Sequence, residues 1–201
     1  MTTTIGLDFE RIAQSDGYKS VAGIDEVGRG CLAGPVVAGA VILDLSKPLP
    51  EGLDDSKKLS KKRREIISEE IKDCAVAFTV GQIEADEIDR INILEATKKA
   101  MISAVGKLNP AADFLLIDAL ELKNSNLPQK AIIKGDAVSA SIAAASIIAK
   151  VFRDDLMKKY GEKYSEYGFE KHAGYGTKAH FEALRVHGAT PIHRRSFRGV
   201  L

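Results

Sequence analysis

Short continuous apolar runs alternate with stretches of helical periodicity along this chain, and the alternation predicts its elements. Val21-Ala22-Gly23-Ile24 opens an apolar run that predicts a strand over residues 20–27. Val36 to Leu43 predicts a second strand over 35–43, joined to the first by the glycine-bearing turn Gly28 to Gly34. Residues 44–58, with Pro48, Pro50 and Gly52, read as a loop. Ser60 is an N-cap for a helix to about Asp73, in which Leu59, Ile66, Ile67, Ile71 and Cys74 share a face. Ala75 to Ile83 predicts a third strand.

A longer helix is expected over Ala85 to Leu108. Ile88, Ile91, Leu94, Met101, Ile102, Val105 and Leu108 recur at helical spacing, and Asn109-Pro110 ends the run. Phe114 to Asp118 and Ala131 to Lys134 predict two short strands, the second followed by Gly135-Asp136. Ser139 to Tyr160 reads as a helix whose segment Ile142 to Ile148 is small and apolar nearly all round, so it should be buried. A last helix is expected near Thr177 to His187, after the aromatic and glycine-rich stretch Tyr167 to Tyr175. There is no internal repeat and no low-complexity linker. The order predicts an α/β fold with a mixed sheet and helices on its faces.

The 201 residues suit one domain or a domain with a small appendage, and 45% hydrophobic residues supply a sizeable core. Cys31 and Cys74 lack metal-type spacing and make no disulfide framework, which predicts a reduced cytoplasmic setting and no disulfide-linked partner. Met1 to Ser20 holds no apolar stretch long enough for a leader, and no segment approaches a membrane span. Nothing signals an oligomer, so a monomer is expected. The net charge of +1 does not announce nucleic acid, but its distribution is uneven. Ser56 to Arg64 carries six cations and no acid, and Arg185 to Leu201 carries four arginines and no acid. A neutral total can hide a basic face, although lysine-rich runs also serve as solvated helix ends.

The chemistry gathers at strand ends. Asp25 and Glu26 close the first predicted strand, Asp118 closes the fourth, and Asp136 follows the fifth. Sites in open α/β sheets collect at the carboxyl ends of strands. Carboxylates brought together there cannot all stay ionised without a cation. An oxygen-only set suits Mg²⁺ or Mn²⁺, and two such ions about 3.5–4 Å apart can activate water and stabilise a leaving oxygen. The bland alternative is that each acid merely caps a turn. Adjacent residues on a regular strand point to opposite faces. Asp25 and Glu26 therefore reach one site only if the strand bends at Gly28 and Gly30; otherwise Glu26 acts indirectly or through its carbonyl.

Arg29, between Gly28 and Gly30, offers a fork-shaped cation on flexible backbone, suited to a phosphodiester. Gly28-x-Gly30-x-x-x-Gly34 is one residue too long for a dinucleotide loop, and a strand follows it. Lys57 and Lys58 grip a DNA strand or sit in a solvated loop. Ser146 and Lys150, one helical turn apart, can face one phosphate, or Ser146 is a small packing residue. Arg194 and Arg195 bind phosphate or pair with acids. His172, His180, His187 and His193 read as surface or packing residues. The glycines beside Tyr175 argue for an exposed turn.

These segments resemble ribonuclease HII, the type 2 ribonuclease H, from about Val21 to Val200. The resemblance runs through Gly23-Ile24-Asp25-Glu26-Val27-Gly28-Arg29-Gly30, Asp55-Ser56-Lys57-Lys58-Leu59, Leu116-Ile117-Asp118 and Lys134-Gly135-Asp136. It continues through Ile142 to Lys150, Arg153-Asp154, Gly174-Tyr175-Gly176-Thr177 and His193-Arg194-Arg195-Ser196-Phe197. It implies an RNase H-like fold: a five-stranded mixed sheet flanked by helices over residues 1–160, with residues 161–201 a C-terminal helical extension packed on it. It implies endonucleolytic cleavage of the RNA strand of RNA–DNA hybrids, and 5′ of single ribonucleotides in duplex DNA, leaving 3′-hydroxyl and 5′-phosphate ends. Asp25, Glu26, Asp118 and Asp136 would hold the metals. Backbone of Gly28-Arg29-Gly30 would sense the 2′-hydroxyl, and Tyr175 would pack on the sugar of the following deoxynucleotide. Cys31 stands where the family often has proline, which would loosen the turn. Ala119-Leu120 stands where Gly-Asn is common, which puts the loop after Asp118 in question. A non-catalytic nucleic-acid binding module would need only the basic face, and a small-molecule phosphohydrolase would turn over mononucleotides.

Overall fold

A computed structural model of the chain describes residues 5–200. Five strands form one mixed sheet in the order β3-β2-β1-β4-β5. They are β1 (Val21–Val27), β2 (Val36–Leu43), β3 (Ala75–Ile83), β4 (Phe114–Asp118) and β5 (Gln129–Ile132). β1 is central, antiparallel to β2 and parallel to β4. β2 is buried along its whole length because helices cover both faces of the sheet, which explains its unbroken apolar run. β4 and β5 are parallel and joined by a loop alone, the connection being too short for a crossover helix.

One face carries α3 (Ala85–Ile91) and α4 (Ile93–Val105), the other α2 (Lys61–Cys74) and α5 (Ala140–Lys163). Gly23 of β1 and Gly39 of β2 permit the close approach of α5. A Cβ on Gly23 would run into the backbone of Ser141 and Ile142, and one on Gly39 into the Ala145 carbonyl. The alanines of α5 answer with equally small side chains. This near-contact of helix and sheet brings the middle of α5 to the end of β1, where the acids lie.

Several expectations need correction. The single helix over 85–108 is broken at Asn92, whose backbone is left-handed (φ 69°) and whose side chain accepts the N–H groups of Leu94 and Glu95. Asn is one of the few residues that adopts this conformation cheaply, and it caps α4 in the same move. The last strand lies two residues earlier than expected, because Lys134 is left-handed and a 3₁₀ turn begins at Gly135. α5 continues past residue 160 to Lys163. A short helix, α1 (Asp8–Ser15), was not expected. Its buried Glu10 accepts hydrogen bonds from the Ser139 hydroxyl (2.6 Å) and the Ser141 N–H (2.9 Å), so an acid caps the N-terminus of α5.

Beyond α5 come α6 (Phe169–His172) and α7 (Lys178–His187). Tyr167, Phe169, Leu184 and Ile192 form a second core with Leu32, Ala33 and Met157. The C-terminal helices are thereby packed on the turn after β1.

Candidate active site

The parallel register sets Ile24 opposite Ile117, so Asp25 and Asp118 follow at one level on neighbouring strands, which lie about 4.8 Å apart. Asp118 accepts the Gly135 N–H at 2.7 Å, fixing the turn that carries Asp136. Asp25 points toward α5, as Gly23 would; its carboxylate accepts the Glu26 N–H at 2.7 Å, and Ser146 of α5 lies beside it and favours its charged form. Ser146 is itself 2.9 Å from the Ser56 hydroxyl. Its side chain is buried beside Asp25. The strand does not bend at Asp25: pairing continues regularly through Val27 opposite Val37. Glu26 therefore leaves on the other face, where its carboxylate accepts from Arg29 at 3.4 Å. Its charge is nonetheless felt by Asp25, and that of Asp118 by Glu26.

Burial, then the charge of Glu26, pushes the Asp25 carboxyl up to about 8; Asp118 adds to the effect. Burial also raises Glu26, against the opposing pull of Arg29. Burial raises Asp118 too, opposed by the Gly135 N–H. The group is short of positive charge. What it has is Arg29, 3.4 Å from Glu26, and Lys57, whose ammonium lies 3.2 Å from Asp136 and is felt by Glu26 and Asp118. Burial lowers the Lys57 ammonium, but Asp136 and then Asp55 and Asp25 outweigh it and its net shift is upward. Its side chain is 77% exposed. Among the described residues no three acids close into a ready-made metal cage. The all-oxygen donors and the unmatched negative charge nevertheless fit a hard divalent cation.

The loop after β1 is held rigidly. Gly28 is left-handed (φ 89°), and any side chain there would strike the Arg153 guanidinium. Arg153 donates to the carbonyls of Pro35 (2.9 Å), Ala33 (3.0 Å) and Ala173 (2.9 Å). Arg194 donates to Gly34 O (2.9 and 3.0 Å) and Arg29 O (2.9 Å). Both arginines are fully buried. Arg194 thus neither binds phosphate nor pairs with an acid; it staples the loop. The main-chain N–H of Arg195 bonds Asp89 at 2.8 Å. Cys31 is buried within this turn.

Tyr175 is 42% exposed, as its glycine neighbours suggested. Its loop docks on the first one through Leu32 N–H to Gly174 O at 2.8 Å. Beside it lies a cleft of about 430 Å³ lined by Lys61, Lys150, Asp154, His172 and Tyr175. This cleft adjoins the acids rather than covering them. Lys150 is paired with Asp154 at 2.7 Å, which Arg64 shares at 3.2 Å, and Lys58 is paired with Asp54 at 2.9 Å.

The profile of ribonuclease HII matches residues 22–200. The ribonuclease HII of Geobacillus sp. (strain WCH70) is 56% identical over 189 residues, 94% of this chain and 68% of that protein. The chain belongs to the ribonuclease HII family. It is a ribonuclease H type endonuclease. The ribonuclease H2 from Pyrococcus horikoshii OT3 superposes with a TM-score of 0.76 at 29% identity, covering 90% of this chain and 95% of that one. Bst-RNase HIII in complex with Mn²⁺ shares the fold at a TM-score of 0.67 and 21% identity, covering 94% of this chain and 70% of that one.

Within this ribonuclease HII, three contributors to the site were not found from sequence. Ser56 and Arg153 lay inside segments of the family resemblance, yet nothing in their spacing marked one as a partner of Ser146 and the other as a buried staple. Glu10 lay in an element too short to predict. The departure at Ala119 has a visible consequence: its φ is 50°, a conformation that glycine takes without penalty. For alanine this backbone carries local strain.

Proposed function

We propose that the protein cleaves the RNA strand of RNA–DNA hybrids, and 5′ of single ribonucleotides embedded in duplex DNA, leaving 3′-hydroxyl and 5′-phosphate ends. The observation that carries this reading is a buried Asp25 set level with Asp118 on the neighbouring strand, with Asp136 on the turn that Asp118 fixes and the exposed Lys57 ammonium 3.2 Å from Asp136. Asp25, Asp118 and Asp136 would hold Mg²⁺ or Mn²⁺, with Glu26 contributing charge or its carbonyl. The metal would supply activation of water and stabilisation of the leaving oxygen.

The chain's own residues do the rest. Ser146 aims Asp25. Lys57 leaves the acids and turns to a phosphate of the DNA strand, and Lys58 and Lys150 exchange their acid partners for phosphates in the same way. The backbone of Gly28-Arg29-Gly30, fixed by Arg194, tests for the 2′-hydroxyl. Tyr175 packs on the next sugar. The two loops touch through Leu32 and Gly174, so they read the two sides of an RNA–DNA junction as a unit. A cytoplasmic monomer suits the paired surface charges and the free cysteines, and no helix among the described residues is long and apolar enough to cross a membrane.

A duplex with one embedded ribonucleotide tests the reading. Cleavage on its 5′ side with Mg²⁺ or Mn²⁺, lost in EDTA and in Asp25→Asn, is expected. Binding unaffected by EDTA with no cleavage would favour a non-catalytic module, and turnover of mononucleotides a phosphohydrolase.

A further inference from the structure

The four histidines enter no part of the chemistry above, yet three of them converge behind Tyr175. His180 Nδ1 is 2.9 Å from the Tyr175 carbonyl. A carbonyl only accepts, so Nδ1 carries the hydrogen. The neutral ring then has a bare Nε2, which faces His193 Nε2 at 3.0 Å and must accept from it. His193 Nδ1 is bare in turn, and receives the Thr190 N–H at 2.9 Å. His172 follows the same logic. Its Nε2 donates to the Tyr167 carbonyl at 2.9 Å, and its Nδ1 accepts the Gly174 N–H at 3.2 Å. The rings of His172 and His180 stack with centroids 4.7 Å apart. The Tyr175 N–H closes the cradle on the His172 carbonyl at 2.9 Å. In this pattern each ring spends one nitrogen as an acceptor; the Thr190 hydroxyl also lies 2.8 Å from His193 Nδ1.

We propose that His172 and His180, backed by His193, are positioning residues for Tyr175: they clamp the Gly174–Tyr175 main chain and so set how well the enzyme prefers an RNA–DNA junction. The Gly174 backbone lies against Ala33, so close that a Cβ there would meet the Ala33 carbonyl, and its own carbonyl accepts the Leu32 N–H at 2.8 Å. Burial and the neighbouring ring hold both His180 and His193 below the usual imidazole range, which keeps the chain neutral. The inference rests on the reading that Tyr175 engages the substrate sugar.

The test compares KM and kcat on a single-ribonucleotide duplex and on a long RNA–DNA hybrid. His180→Phe keeps the stacked ring and loses both hydrogen bonds. Its KM for the single-ribonucleotide duplex should rise about five- to tenfold, the scale of one lost hydrogen bond, with kcat and long-hybrid cleavage within about twofold. His180→Asn places an amide N–H where Nδ1 was and should recover most of the preference. A His180→Phe enzyme with unchanged preference, or no recovery in His180→Asn, overturns the proposal. Tyr175→Ala runs alongside: if it too leaves the preference intact, the reading of Tyr175 fails rather than the clamp alone. Should His180→Phe not fold, nitrogen NMR of the wild-type rings decides. Hydrogen on Nδ1 of His180 and on Nε2 of His172 and His193 supports the clamp, and any other pattern overturns it.

Discussion

Asp25 is the residue on which the account turns, because a buried carboxyl that resists ionisation has a measurable cost. Its folded value of about 8 lies above the unfolded value near 3.8. Its contribution to stability is therefore fully present below about pH 4 and is lost as pH rises through 8. Metal-free protein should lose stability across that window, and Asp25→Asn should remove the loss. At pH 8 without metal the variant should melt several degrees higher than wild type, at about 2–4 °C for each kcal/mol relieved. An unchanged or lower melting point would mean that Asp25 is already compensated. Ala119 makes a second prediction at this scale. Relief of its left-handed backbone by Ala119→Gly should stabilise the fold by about 1 kcal/mol in chemical denaturation. A destabilised variant would show that the loop draws its shape from the alanine side chain.

At the scale of elements, the contact of α5 with the sheet is what delivers Ser146 to Asp25. Gly39→Val would push a branched side chain against the Ala145 carbonyl, costing about 1–3 kcal/mol and moving Ser146 off Asp25. Cleavage should fall further than stability alone explains; a variant that loses stability but keeps full kcat would detach the helix from the site. The C-terminal helices carry their own pH signature. His193 is pushed down to about 4 by burial and by His180 beside it, against an ordinary value near 6.5. Its contribution is present above about pH 6.5 and is lost as pH falls through 4. Acid unfolding in that window should begin in residues 165–195, seen as early loss of amide protection there. Uniform loss across the sheet would contradict the neutral histidine chain.

At the scale of the molecule, the strands, the acids at their ends and the helices around them were legible because period and burial write them plainly. β2 is apolar at every position because both faces are covered, Asp118 ends β4, and Asp25 and Asp136 lie near the ends of β1 and β5. Three kinds of feature were not legible. The break at Asn92 depends on one residue adopting a left-handed backbone inside an otherwise unbroken helical period. The roles of Arg153, Arg194 and the histidines depend on backbone carbonyls and N–H groups, which every residue carries and no pattern distinguishes. Lys57 reads as one cation in a basic run, and only the fold sets its ammonium 3.2 Å from Asp136. Electrostatic balance is a property of the assembled site, so the sequence supplies the charges without their sum.

That sum is open to direct measurement by titrating Mn²⁺ into wild type, Asp25→Asn and Asp118→Asn in the absence of nucleic acid. The account predicts saturable binding to wild type at pH 8, accompanied by a higher melting point, and at least about tenfold weaker binding in each variant, the loss of one charged ligand. Equal binding by all three proteins would contradict it.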